Sequence, residues 1–71
     1  MDVLVFKTNV VSEQHVDRVQ RILNTIQAIR EWNLDLDDCD NILRVVSTGL
    51  PARQIEELLN AEGISCKELG D

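Results

Sequence analysis

The side chains of this sequence with chemical potential are one histidine, two cysteines and a run of acidic residues. His15 is the sole imidazole, and Cys39 lies in the acidic run 35–41. An imidazole, a thiol and carboxylates together form a mixed nitrogen, sulfur and oxygen ligand set, which suits Zn(II) or Cu(II) weakly. One hypothesis is therefore a metal site made by His15 with Cys39 and nearby aspartates. The alternative is that His15 is a partly exposed residue in the first turn of a helix, without a ligand.

The same side chains do not form a recognisable catalytic group. Ser12 and His15 share a helix end, but a serine at this position already serves as the helix cap, and no third residue is identifiable that would orient the imidazole. The acidic run also lacks the glycine and glutamate that an EF-hand calcium loop requires. We therefore expect no enzymatic activity and interpret the run as a solvated loop.

The spacing of the two cysteines argues against a shared role. Cys39 and Cys66 have no second cysteine close to either of them, which fits neither a zinc ribbon nor a redox pair. We expect both thiols to stay reduced, with Cys66 packed on the last strand and Cys39 more exposed.

Length and charge exclude several classes of function. The chain has 71 residues and a formal net charge of −6, which opposes attraction to nucleic acid or to anionic lipid. Phe6 and Trp32 are the only side chains that could stack on bases. The segment 1–7 does not resemble a signal peptide, and no apolar run is long enough to span a membrane. We expect a cytoplasmic protein that binds neither nucleic acid nor membranes.

Hydrophobic periodicity predicts six elements. Alternation of apolar and polar residues favours strands, whereas apolar residues at steps of three and four favour helices. The predicted elements are a strand over 2–8, a helix capped by Ser12, a strand through Trp32, Leu34 and Leu36, a strand over 42–47, a helix with Pro51 in its first turn and Gly63 as its left-handed cap, and a strand over 64–69.

This order predicts a single domain over 1–71 of the α+β class. A βαββαβ sequence is typical of the ferredoxin-like sandwich, in which two helices cover one face of a four-stranded antiparallel sheet. Right-handed crossovers give the strand order 4-1-3-2. The other face is left open, and some of the following apolar residues are expected on it: Val3, Leu4, Val5, Phe6, Ile42, Val46, Ile64 and Cys66. We expect this open face to bind a protein partner or a second copy of the chain.

The pattern around the first helix resembles a known family. Val16, Val19 and the pair Ile22-Leu23 follow the spacing of the first helix of the heavy-metal-associated (HMA) domain, the module of copper chaperones and metal ATPases. The resemblance extends over about the whole chain, through 32–36 and 43–45 as the second and third strands and 54–64 as the glutamate-rich second helix.

In that family the first loop carries Met-x-Cys-x-x-Cys, and the resemblance places Ser12 and His15 at the two cysteine positions. Cu(I) is a soft ion that prefers thiolates, so a hydroxyl and one imidazole are poor substitutes for the two cysteine thiolates. The resemblance thus implies a small, non-catalytic binding module that lacks the Cys-x-x-Cys site. The alternatives are altered metal binding by Ser12, His15 and Cys39, with zinc or copper as the metal, and a regulatory ligand-binding domain of the ACT type.

Overall fold

The computed structural model describes residues 1–36 and 41–70, which form six elements. In chain order these are β1 (Asp2–Thr8), α1 (Glu13–Asn24), β2 (Ile29–Asp35), β3 (Ile42–Ser47), α2 (Ala52–Ala61) and β4 (Cys66–Glu68). The strands form one antiparallel sheet in the order β2-β3-β1-β4. The predicted βαββαβ fold and strand order are confirmed.

The core lies between the sheet and the two helices. Successive residues of a strand point to opposite faces, and in β1 and β3 the buried residues, such as Phe6, Leu43 and Val45, all point to one face. Val19 and Leu23 of α1 and Ile55 and Leu59 of α2 are buried with them. The buried residues of the sheet and of the two helices therefore form a single apolar layer.

The helix ends follow the residue types closely, with one correction. Ser12 caps α1 as predicted, since its hydroxyl accepts the backbone N–H of His15 at 3.3 Å. Pro51 lies at the cap position of α2, one residue before the first turn in which it was predicted, and it makes no side-chain capping bond. Its fixed φ of −67° suits the extended backbone that leads into the helix.

The end of α2 explains why the last strand is shorter than predicted. Gly63 has φ of +81°, which favours glycine, and its N–H donates to the Asn60 carbonyl while that of Ile64 donates to the Leu59 carbonyl. Because the N–H of Ile64 is hydrogen-bonded within this capping motif, it is not available for strand pairing, and β4 begins at Cys66 and not at residue 64.

The open face carries only part of the expected apolar set. Val3, Val5, Ile42 and Val46 alternate with buried neighbours and lie on it. Leu4 and Phe6 point instead toward the helices, and Ile64 and Cys66 are buried in the core. The prediction that some of the eight residues lie on the open face is therefore confirmed, and the structure shows which four they are. Leu36 was predicted to lie on β2 on the same face as Trp32 and Leu34. It follows the end of the strand and is exposed.

Two buried hydroxyls on the helix side of the sheet should respond oppositely to removal. Ser47 is fully buried and its Oγ has no hydrogen-bond partner among residues 1–36 and 41–70, so we expect Ser47→Ala to raise the free energy of unfolding by about 1 kcal/mol. Thr8 is also buried, but its hydroxyl makes two hydrogen bonds, so Thr8→Val should lower that free energy by about 1–3 kcal/mol. Urea unfolding of both variants checks the pair. A loss of stability in Ser47→Ala would contradict the orphaned state of that hydroxyl.

Candidate functional site

The β1–α1 loop, the start of β3 and the α2–β4 turn meet at one end of the domain. Thr8 joins the first two of these segments. Its hydroxyl donates to the Asn41 carbonyl at 2.7 Å, across 33 positions of sequence, and accepts the backbone N–H of Val10 at 3.2 Å. Asn41 itself adopts φ of +48°, a left-handed conformation that asparagine tolerates. The β1–α1 loop is thereby tied to the start of β3.

Asn9 ties the same loop to the turn between α2 and β4. Its side-chain oxygen accepts the Ser65 N–H at 3.0 Å, and its own N–H donates to the Ser65 carbonyl at 3.2 Å. Asn60 supports the far side of this turn by accepting the Cys66 N–H at 3.3 Å. The loop from Asn9 to Ser12 is thus held on both flanks, and we call this end of the domain the loop end.

Ser12 and His15 come together at the loop end, as their spacing predicted. The helix backbone sets this contact, because the residue three positions after a cap lies directly above it. His15 is half-buried, and its Nδ1 is buried without a hydrogen-bond partner in the described structure. The Ser12 hydroxyl therefore has a structural role in the cap, whereas the imidazole retains one unpaired nitrogen.

The cysteines are not assembled with this pair in the part of the chain that is described. Cys39 lies outside the described residues, so its predicted place beside His15 stays a prediction. Cys66 is a free thiol in the core with only 5% of its surface exposed. Burial, together with the nearby Glu56 carboxylate, raises the pKa of Cys66 from 9.0 to about 12. At neutral pH this thiol is protonated, which makes it a poor nucleophile and a poor metal ligand.

The donors at the loop end do not fit the Cu(I) site of the resembling family. Within residues 1–36 and 41–70, no three histidine, cysteine, aspartate or glutamate side chains are grouped closely enough to hold a metal ion. Ser12 offers a hard hydroxyl and His15 a borderline nitrogen, whereas Cu(I) is held by soft thiolates. The described chemistry of this end is that of a rigid loop with one unsatisfied imidazole nitrogen.

A groove of about 380 Å³ lies elsewhere, between the two helices. Ile22 and Leu58 provide apolar lining, and Arg18 and Arg21 add positive charge.

Neither helix of the described residues combines the length and the apolar character needed to cross a membrane.

Comparison of the backbone with solved structures identifies the fold. The yeast copper transporter domain CCC2A superposes with a TM-score of 0.84 at 15% identity, covering 100% of this chain and 99% of that one. The copper(I)-loaded first domain of the human copper chaperone for SOD1 gives 0.78 at 24% identity, covering 96% and 92%. A structure of the Atx1–Cu(I)–Ccc2a complex gives 0.81 at 15% identity, covering 97% and 96%.

The chain has the fold of an HMA domain. The predicted family resemblance is confirmed at the level of the fold, because matches below 25% identity support the fold and nothing finer. No protein-family model and no curated protein sequence matches the chain.

Sequence reasoning missed the polar residues that hold the loop end of this HMA fold. Thr8 and Asn9 do so through partners 33 and 56 positions away. A threonine and an asparagine directly after an apolar strand were the available signal, since both side chains bond readily to backbone groups near turns. Their partners could not be read from local pattern.

Proposed function

We propose that this chain is a non-catalytic protein-binding module on the HMA fold that no longer carries Cu(I) at its loop end. The observation that carries the proposal is the state of the two positions that resemble the metal-binding cysteines. The Ser12 hydroxyl accepts a backbone hydrogen bond as a helix cap, and the side chain three positions later is an imidazole. Neither group supplies a thiolate.

Protein binding is supported by the exposed apolar surface and by the solved structures. Val3 and Val46 lie side by side on the open face. Exposed apolar patches of this kind mark interaction sites. The matching Atx1–Cu(I)–Ccc2a structure is itself a complex. Together these observations favour a protein as the partner.

The absence of catalysis is part of the same proposal. The Ser12 hydroxyl is engaged in capping, and the Cys66 thiol is buried and protonated at neutral pH. These are poor states for a nucleophile, which needs an adjacent base or a lowered pKa. The third alternative, an ACT-type regulatory domain, has only the shared topology in its favour, and its β1–α1 loop lacks the glycines that would support it.

One observation favours altered metal binding as a second candidate. The His15 Nδ1 is buried and has no hydrogen-bond partner among the described residues, and a neutral imidazole nitrogen is a common metal ligand. Cys39 and the aspartates beside it would have to complete such a site. This second candidate predicts that the affinity for metal depends on His15.

The experiment is native mass spectrometry of the reduced chain under anaerobic conditions, with Cu(I) and Zn(II) added separately. We expect no stoichiometric metal, because a hydroxyl and one imidazole are weak ligands for Cu(I). A His15→Ala variant is the matched control. One bound metal that is lost in His15→Ala would replace the proposal by the second candidate. A bound metal that survives in His15→Ala would also contradict the proposal and would direct attention to Cys39.

A further inference from the structure

The open face of the sheet carries an apolar patch beside an ordered row of charges. Val46 on β3 pairs with Val3 on β1, and the Leu69 N–H donates to the Val5 carbonyl at 2.8 Å. These four residues therefore form one contiguous patch. Val3 is 60% exposed and Leu69 43% exposed, which is unusual for large apolar side chains that have neighbours of the same kind.

The charged row crosses all four strands at one height. Asp35 on β2 pairs with Ile42 on β3, Ile42 pairs with Lys7 on β1, and Lys7 pairs with Lys67 on β4. Residues paired across strands point to the same face. The row consequently begins with an acid at one edge of the sheet and ends with bases at the other edge.

This arrangement is complementary to itself under one symmetry operation. A two-fold axis that runs parallel to the strands, between β3 and β1, places the β2 edge of one copy over the β4 edge of the other. Heights along the strands are kept, so Asp35 of each copy lies over Lys67 of the other, and Val46 lies over Val3. An axis across the strands would instead bring Asp35 near Glu31, which has the same charge.

We propose that a second copy of this chain packs face to face on the open face, about the two-fold axis parallel to the strands. This inference rests on the proposed function, since it names the partner of a protein-binding module. The aligned stacking of two sheets is a common packing mode, and a two-fold dimer is the commonest form of self-association.

The central Arg44 is compatible with this arrangement. It pairs with Asn33, so Glu31 and Asp35 on β2 flank it diagonally. Diagonal neighbours on a sheet lie within reach of a long side chain. Arg44 can thus cover apolar surface with its stem while its guanidinium group extends toward the acidic β2 edge and solvent.

The size of the face predicts a weak dimer. Three strands of six or seven residues and a fourth of three residues form a face of at most roughly 19 Å by 20 Å, so the contact lies near the lower limit for stable interfaces. Dimerisation should therefore depend on concentration. Sedimentation velocity should show a weight-average mass that rises from monomer to dimer, and the melting temperature should rise with concentration.

Charge-reversal variants test the symmetry. Asp35→Lys alone places like charges at both equivalent contacts, and so does Lys67→Glu alone, so each should raise the dimer dissociation constant about tenfold or more. An equimolar mixture of the two variants should recover the native dissociation constant, because both contacts of the mixed dimer again join opposite charges. Matched controls are Asp17→Lys and Arg18→Glu, which make the same charge changes on α1, away from the open face.

The apolar contact needs a separate variant. Val3→Glu changes a largely exposed side chain, so the monomer should keep its fold, which circular dichroism verifies, while the dimer is lost. A native chain that stays monomeric at every concentration overturns the inference, as does a dimer that Val3→Glu leaves intact or a mixture that fails to recover. These results are read from mass and not from metal content, so they are distinguishable from failure of the proposed function.

Discussion

A Ser12→Cys/His15→Cys variant is expected to bind one Cu(I) ion per chain under conditions in which the native chain binds none. Residues 12 and 15 already lie at the capped start of α1, where the Ser12 Oγ is 3.3 Å from the His15 backbone nitrogen, and we expect this backbone to present the two thiols. A helix N-terminus also lowers the pKa of a nearby thiol, which favours the thiolate that binds the metal. Two soft ligands then replace a hydroxyl and an imidazole.

The substitutions carry a cost that gives a second readout. Removing the Ser12 cap should lower the free energy of unfolding of the metal-free variant by about 1 kcal/mol. Because a ligand that binds only the folded state stabilises it, added Cu(I) should recover this loss in the double variant and change the native chain little. Thermal unfolding with and without anaerobic Cu(I) measures both effects.

Two further variants isolate the cause. His15→Cys alone supplies one thiol at the loop end and should bind Cu(I) more weakly than the pair. Ser12→Ala/His15→Ala removes the same two native groups without adding thiols and should bind no copper. If the double cysteine variant folds and still takes up no Cu(I), then the alignment of residues 12 and 15 with the family's two cysteines is wrong, and the proposal loses its main support.

The strand and helix pattern was predictable because it is local. The apolar residues of 2–8 and 42–47 marked β1 and β3 as strands, although not which side of each is buried, and the Ser12 cap marked the start of α1. The strand order followed from connection rules that depend only on the order of elements. The ferredoxin-like arrangement of the strands and helices was predictable for the same reason.

The errors arose where one residue had two competing structural roles. Ile64 is apolar and lies close to a strand, but its N–H completes the α2 cap, so pairing in β4 starts two residues later. The types of Phe6 and Cys66 do not show which face of the sheet each side chain occupies, because an apolar residue fits either face. Only the pairing of Thr8 with Cys66 and of Phe6 with Leu43 decides that they point inward.

The loop end could be predicted in position but not in bonding. The topology of the βαββαβ fold brings the β1–α1 loop and the α2–β4 turn to the same end of the domain. Asn9 and Ser65 lie 56 positions apart, and their paired hydrogen bonds depend on the closed fold. The state of Cys66 is a similar case, because its burial follows from sheet pairing and not from its neighbours in sequence.

The stability of the chain is expected to fall steeply at alkaline pH because of Cys66. Burial and Glu56 raise its pKa to about 12 in the folded state, whereas the unfolded thiol ionises near 9.0. Below pH 9 both states are protonated and the thiol makes no pH-dependent contribution. Between these two values only the unfolded state releases its proton, so the free energy of unfolding should fall by about 1.4 kcal/mol for each pH unit.

Urea unfolding under reducing conditions at pH 8 and pH 10 tests this linkage. The native chain should lose stability over this interval by about 1 kcal/mol more than Cys66→Ala, whose side chain cannot ionise. Taking the difference between the two proteins cancels the titration of lysines, which both retain. Cys39→Ala is the matched control, because it removes the other thiol and leaves Cys66 in place, so this variant should keep the loss of stability that Cys66 causes. An equal loss in Cys66→Ala and the native chain would mean that the Cys66 thiol ionises as easily in the folded domain as in the unfolded chain, and that the core around β4 opens to water.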